Sequence, residues 1–297
     1  MLQLLKECTL CPHMCKVNRL ENKFGRCKCN SSIRIALVSL HHFEEPCISG
    51  TNGSGTIFFS GCNLNCMFCQ NYKISQTATG KITTINELAE IFLNQQKTGA
   101  HNINLVTPTM YVPQIIEALK LAKQQGLEIP IIYNSNGYEN LETIRLLNGF
   151  VDIYLPDFKY FYDDIAKKYS NINNYFNIAS KSILEMYYQV GLPQFDSSGL
   201  LQKGLLIRHL VLPNNIDNTK QVLLWIKQNL PKNVYISLMA QYFPTYLAKT
   251  DTTINRKLLP EEYNEVKDYF YSLDFVNGYM QELGDHEEEY VPDFDIS

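Results

Sequence analysis

The stretch Thr56-Ile57-Phe58-Phe59-Ser60-Gly61-Cys62-Asn63-Leu64-Asn65-Cys66-Met67-Phe68-Cys69 joins a short apolar run to a loop of three cysteines. The run TIFFS, rich in β-branched and aromatic side chains and bounded by glycines, predicts a buried strand. The cysteines follow at once with the spacing C-x3-C-x2-C, and no cysteine comes after them. Three thiolates on one tight loop can hold three corners of a cubane 4Fe–4S cluster. The fourth iron then stays open to a ligand, unlike in the four-cysteine runs of ferredoxins. The bland alternative is a zinc site, or a cluster completed by a distant cysteine, although zinc loops favour C-x2-C pairs.

Beyond this loop, apolar runs alternate with helical patterns. Further strands are predicted at 103–106, 129–133, 151–155, 205–212 and 234–240, with a short one near 275–280. Thr84 and Glu87 make a capping-box pair, opening a helix with Ile85, Leu88, Ala89 and Phe92 on one face. Val112, Ile115, Ile116 and Leu119 repeat the helical period, and Pro260 suits the first turn of another helix. Near-continuous apolar strands alternating with helices define an α/β fold: a parallel sheet covered by helices, open or curled into a barrel. In either form, ligands collect at the C-terminal ends of the strands.

The chain has 297 residues, a net charge of −4, 45% hydrophobic and 19% charged residues. That is globular composition, with no sign of nucleic-acid binding. No apolar run reaches the ~18 residues of a membrane span. The start, MLQLLKECTLC, lacks the apolar core of a secretory signal, so a cytoplasmic protein is expected. All nine cysteines precede residue 70. An odd, clustered set without an export signal points to metal rather than disulfides. The composition shift near Gly50 divides the chain into a Cys-rich extension, 1–50, and an α/β unit, 51–297.

Within the extension, Cys8, Cys11, Cys15 and Cys27 form a plausible four-ligand set for zinc or for an auxiliary iron–sulfur cluster, with His13 or Cys29 as substitutes. Free thiols are the competing reading. Cys47 has no assigned role. His41, His42, Glu44 and Glu45 read equally as functional groups or as solvated charge. The acidic stretch 285–295 reads as a solvated end or a lid. The nineteen tyrosines are read as compositional.

The C-x3-C-x2-C loop after the first strand of a β/α chain resembles the radical S-adenosylmethionine (SAM) superfamily. The runs HHFEEPCISG (41–50), GSGTIFF (53–59), NINLVTP (102–108), YLPDFK (154–159), RHLVLP (208–213) and EYVPDFD (289–295) resemble the pyruvate formate-lyase-activating enzyme-like group within it. This resemblance covers essentially the whole chain. It implies a partial (β/α)6 radical SAM barrel. It further implies a 4Fe–4S cluster on Cys62, Cys66 and Cys69, with Phe68 near the SAM adenine. A one-electron donor such as flavodoxin or ferredoxin would be the partner. Polar residues at the strand ends are then the SAM candidates: Thr107 and Thr109 for the amine, Asn134 and Asn136 for the ribose, Asp157 with Lys159, and Arg208 as a carboxylate clamp. Asp157 and Lys159 read otherwise as a surface ion pair. Arg208 and His209 lie on opposite strand faces, so at most one looks inward. Gln241, Tyr242 and Pro244 face substrate or merely pack. Met110 stands where relatives carry His. The expected function is reductive cleavage of SAM to a 5′-deoxyadenosyl radical that abstracts hydrogen from a protein or small molecule, with the glycine of a glycyl radical enzyme favoured. The rivals are radical modification of a peptide or metabolite, and an iron–sulfur electron carrier or redox sensor.

Overall fold

The computed structural model describes residues 1–284 and 294. Its elements run β1 (Ile33–His41), α1 (Pro46–Ser49), β2 (Ser54–Phe59), α2 (Tyr72–Ser75), β3 (Lys81–Thr83), α3 (Ile85–Lys97), β4 (Ile103–Val106), α4 (Val112–Gln124), β5 (Ile131–Ser135) and α5 (Leu141–Leu146). They continue with β6 (Ile153–Pro156), α6 (Asp163–Ser170), α7 (Tyr175–Val190), β7 (Gln194–Phe195), β8 (Leu201–Leu210), α8 (Ile216–Asn229), β9 (Tyr235–Met239), α9 (Pro260–Ser272) and β10 (Gly278–Met280).

The sheet order is β10-β9-β8-β6-β5-β4-β2-β1-β3, with β7 hairpinned onto β8. From β2 to β10 every neighbouring pair is parallel. The order is that of a partial barrel: among the described residues no hydrogen-bonded ladder closes the sheet. β2, β5 and β6 are buried at every residue, as strands covered on both faces must be. The capping box at α3 forms as its sequence requires. Thr84 Oγ1 accepts from the Glu87 amide at 3.2 Å, and Glu87 Oε2 accepts from the Thr84 amide at 2.7 Å. Pro260 takes the first turn of α9.

The edge departs from expectation. Residues 33–41, read as part of the extension, are a strand antiparallel to β2 in the register Ile35↔Phe59 to His41↔Ser54. The Cys-rich segment outside the sheet therefore ends by residue 32, not at 50. Among the described residues no helix is long and apolar enough to cross a membrane. The stretch 285–295 falls outside the described residues except for Phe294, which packs edge-on against Phe58 with ring centres 5.4 Å apart.

Candidate active site

A cavity of about 590 Å³ opens at the C-terminal ends of the parallel strands and runs down the inner face of the sheet. Strand register builds its wall. Phe58 lies beside Val106, Val106 beside Asn134, and Arg208 beside Ser237, and all five line the cavity. The Cys62–Cys69 loop forms the mouth. It leaves β2 through Gly61, whose φ of +86° suits glycine. A Cβ there would strike the Cys29 sulfur and the Cys27 carbonyl. Gly137 is needed for the same kind of reason, because a Cβ would strike the Asp157 carbonyl.

Cys62, Cys66 and Cys69 all line the cavity. Each sulfur has a polar neighbour suited to a thiolate. The Leu64 amide and Asn136 Nδ2 donate to Cys62 Sγ at 3.4 and 3.5 Å. The Ser170 hydroxyl donates to Cys66 Sγ at 2.9 Å, and the Ser75 hydroxyl lies 3.3 Å from Cys69 Sγ. Among the described residues, no three His, Cys, Asp or Glu converge on one metal ion. A cubane gives each thiolate its own iron, so its ligands need not converge. Soft donors, a shared loop and donors aimed at sulfur fit an iron–sulfur cluster.

Burial pushes the Cys66 thiol up to about 11, with Lys159 pulling the other way. Burial also raises Cys62 and Cys69, and the neighbouring cysteine sulfurs push Cys62 further. Without metal the three stay protonated at neutral pH, so cluster loading must release protons. Reconstitution at fixed iron and sulfide is expected to be more complete at pH 9 than at pH 7. Yields that stay flat or fall over that interval would contradict this.

Phe68, Thr107, Asn134, Asn136, Asp157, Lys159 and Arg208 share the same cavity. Phe68 is held edge-on between Tyr169 and Tyr242. Thr107, a β-branched residue, sits at φ +57°, a strained conformation at the end of β4. Lys159 Nζ lies 2.5 Å from Asp157 Oδ2, and both side chains are largely shielded, so this is not a surface pair. Burial works against the Lys159 ammonium, but Asp157 and the Cys66 sulfur outweigh it and raise its pKa. Gln241 also lines the cavity, whereas Tyr242 is buried packing.

Two expectations need correction. Thr109 does not reach the cavity: it lies in a buried 3-10 turn and donates to Glu139 Oε1 at 2.7 Å. Arg208 reaches the cavity, but its fork is already engaged by carboxylates. Its Nε and Nη2 donate to Glu45 at 2.8 and 2.5 Å, and Nη2 also pairs with Glu44. Glu44 and Glu45 are therefore not solvated charge; with His41 and His42 they floor the cavity. Burial opposes the Glu45 carboxylate, but Arg208 overrides it and holds the pKa below the usual range. His209 turns to the other strand face. Its Nδ1 donates to the Phe158 carbonyl at 2.6 Å, and its Nε2 accepts from Thr219 at 2.9 Å. Burial brings its pKa down to about 4, so it is neutral at pH 7.

The extension docks on this mouth. His13 Nε2 lies 2.7 Å from the Asn63 carbonyl, and Asn140 Nδ2 donates to the Thr9 carbonyl at 2.8 Å.

Fold and site define a class: an α/β partial barrel with a three-thiol loop after its first parallel strand and a ligand cavity beside it. Residues 56–226 match the family model of the radical SAM superfamily, and the chain belongs to that superfamily. Over 285 residues it is 33% identical to an uncharacterised protein of Methanocaldococcus jannaschii, covering 92% of this chain and 77% of the relative. Over 131 residues it is 30% identical to a pyruvate formate-lyase-activating enzyme of Clostridium pasteurianum, covering 42% of this chain and 54% of that one. A solved spore photoproduct lyase variant shares the fold, with a TM-score of 0.54 and 11% identity over 82% of this chain and 79% of that one. The protein is thus a radical SAM enzyme by family, and the family implies a 4Fe–4S cluster and SAM.

Proposed function

We propose that Cys62, Cys66 and Cys69 ligate the cluster and that the protein cleaves SAM to take a hydrogen atom from a protein or small-molecule substrate. The observation that carries this is the three cysteines lining one cavity with strand-end polar groups. When bound, cluster and SAM would supply one-electron chemistry, the reductive cleavage of a sulfonium that lets the site take a hydrogen atom from substrate. The chain's own residues bind and orient. Phe68 offers an aromatic wall, Thr107, Asn134 and Asn136 offer hydrogen bonds, and Lys159 is the cation beside the cysteines. The Glu44–Glu45–Arg208 ion pairs line the same cavity.

Within this reading the substrate is the backbone glycine of a glycyl radical enzyme, supported by the partial likeness to a pyruvate formate-lyase-activating enzyme. A flavodoxin- or ferredoxin-type donor supplies the electron in the cytoplasm. Cys8, Cys11, Cys15 and Cys27 hold a second centre, read as an auxiliary iron–sulfur cluster rather than zinc because no three His, Cys, Asp or Glu among the described residues converge on one ion. The test is anaerobic: reconstituted, dithionite-reduced protein is given SAM and assayed for 5′-deoxyadenosine. Product is expected. A reducible cluster that yields none, even with a glycyl radical enzyme present, would return the protein to the electron-carrier reading. A glycyl radical signal in the partner by electron paramagnetic resonance separates an activase from an enzyme acting on a peptide or metabolite.

A further inference from the structure

Arg19 is fully buried, yet every hydrogen bond it makes goes to a neutral acceptor or to sulfur. Nε and Nη2 donate to the Asn30 carbonyl at 3.0 and 2.5 Å. Nη1 donates to the Met110 carbonyl at 2.6 Å and lies 3.9 Å from Cys8 Sγ. The Tyr111 ring centre is 5.9 Å away. Among the described residues no Asp or Glu forms an ion pair with it. The contrast with Arg208, less enclosed yet given two carboxylates, is direct. A buried guanidinium without a counter-anion is destabilising even after relaxation. The anion-forming groups nearest to it are cysteines.

Those cysteines are gathered by the backbone. Cys8 is strapped to the segment after Cys15, its amide donating to the Val17 carbonyl at 3.1 Å and its carbonyl accepting from the Lys16 amide at 2.9 Å. Gly25 sits between two others: a Cβ there would lie 3.5 Å from Cys27 Sγ and 3.6 Å from Cys15 Sγ. The Arg26 amide donates to Cys15 Sγ at 3.5 Å. Cys29 lies against Cys27, the two thiols hydrogen-bonded to each other, and its thiol also reaches the Cys27 and Ser60 carbonyls.

We propose that Cys8, Cys11, Cys15 and Cys27 form a metal–thiolate centre of net negative charge, and that Arg19 is its built-in counter-cation. This rests on the reading that these four thiols bind a soft metal. It adds the sign of the centre's charge and the residue that answers it. Among the described residues no three His, Cys, Asp or Glu converge on one metal ion, so the centre is read as an iron–sulfur cluster, in which four thiolates leave an oxidised 4Fe–4S core at about −2.

The test uses the full chain with Cys62, Cys66 and Cys69 all changed to alanine, purified anaerobically, so that only the second centre can hold metal. Metal and acid-labile sulfide analysis is expected to give about four iron with four sulfide per folded chain. That result supports the centre. Folded protein with less than about a tenth of that iron would overturn the metal reading and the inference together.

The counter-cation is then tested in the same background with Arg19→Met and Arg19→Lys. Metal loss to a chelator is expected to be about 10- to 100-fold faster in Arg19→Met and near the parent rate in Arg19→Lys. Thermal unfolding guards against a mere packing effect. Arg19→Met should lower the melting temperature of the metal-loaded form. It should leave that of the stripped form unchanged or raised, because it removes an unanswered buried charge. Equal losses in both forms, or an unchanged chelator rate, would overturn the counter-cation role while leaving the metal reading standing.

Discussion

Cys66→Ala is expected to abolish 5′-deoxyadenosine formation and the reduced-cluster signal that responds to SAM. Cys66 lies deep in the three-cysteine loop, where its sulfur takes the Ser170 hydroxyl at 2.9 Å. In the proposed cluster each thiolate would hold its own iron, so two remaining cysteines would leave two irons without thiolate ligands. Ser170→Ala is the graded companion. It keeps every ligand but removes a hydrogen bond that stabilises charge on sulfur. The cluster should become harder to reduce, and the rate should fall by about 10- to 100-fold. Electrochemistry and product assays on both variants decide the matter. Wild-type turnover by Cys66→Ala, or an unchanged potential in Ser170→Ala, would defeat the assignment.

Arg208→Met is expected to destabilise the protein by about 3–5 kcal/mol at pH 7, because it strands two enclosed carboxylates. The pH dependence gives a sharper reading than the size. In the wild type, Arg208 holds Glu45 below its ordinary pKa. That contribution is present above the unfolded carboxylate value and is lost as pH falls through the lower native value. In the variant, burial is the largest influence left on Glu45, opposed only by hydrogen bonds from Ser237 and the backbone, and it raises the pKa above the unfolded value. Stability is then fullest below the unfolded value and is lost as pH rises. Arg208→Met should therefore melt at a higher temperature at pH 5 than at pH 8, and adding Glu45→Gln should remove most of that slope. A variant whose melting temperature changes with pH as the wild type's does would show that the clamp carries no such charge.

The parallel strands were legible because each is a compact apolar run flanked by turn residues, and 103–106 matches β4 at both ends. β1 was not legible: it is only half-buried, with no clean alternation, and lies among cysteines that draw attention to metal. β3 and β7, three and two residues long, are too short to leave a period. The cysteine loop could be read because its whole message lies within eight residues. The floor could not, since the meaning of Glu44 and Glu45 depends on Arg208, 164 and 163 residues away. Thr109 was misplaced because a strand-end reading does not foresee the turn that carries it inward, under Glu139. The signal that could have found Arg19 is only that an arginine stands among four cysteines, and burial alone gives that meaning.

The clamp across the floor also sets a timetable for the chain as it is made. Glu45 emerges 163 residues before the arginine that neutralises it. At roughly 5–20 residues per second that is a wait on the order of ten to thirty seconds. During it, the cysteine loop is already out while its cavity has neither a floor nor its later strands. Cluster delivery is therefore expected to act on completed chains. Ribosome-stalled chains that stop short of residue 208 should leave the Glu44 segment open to protease.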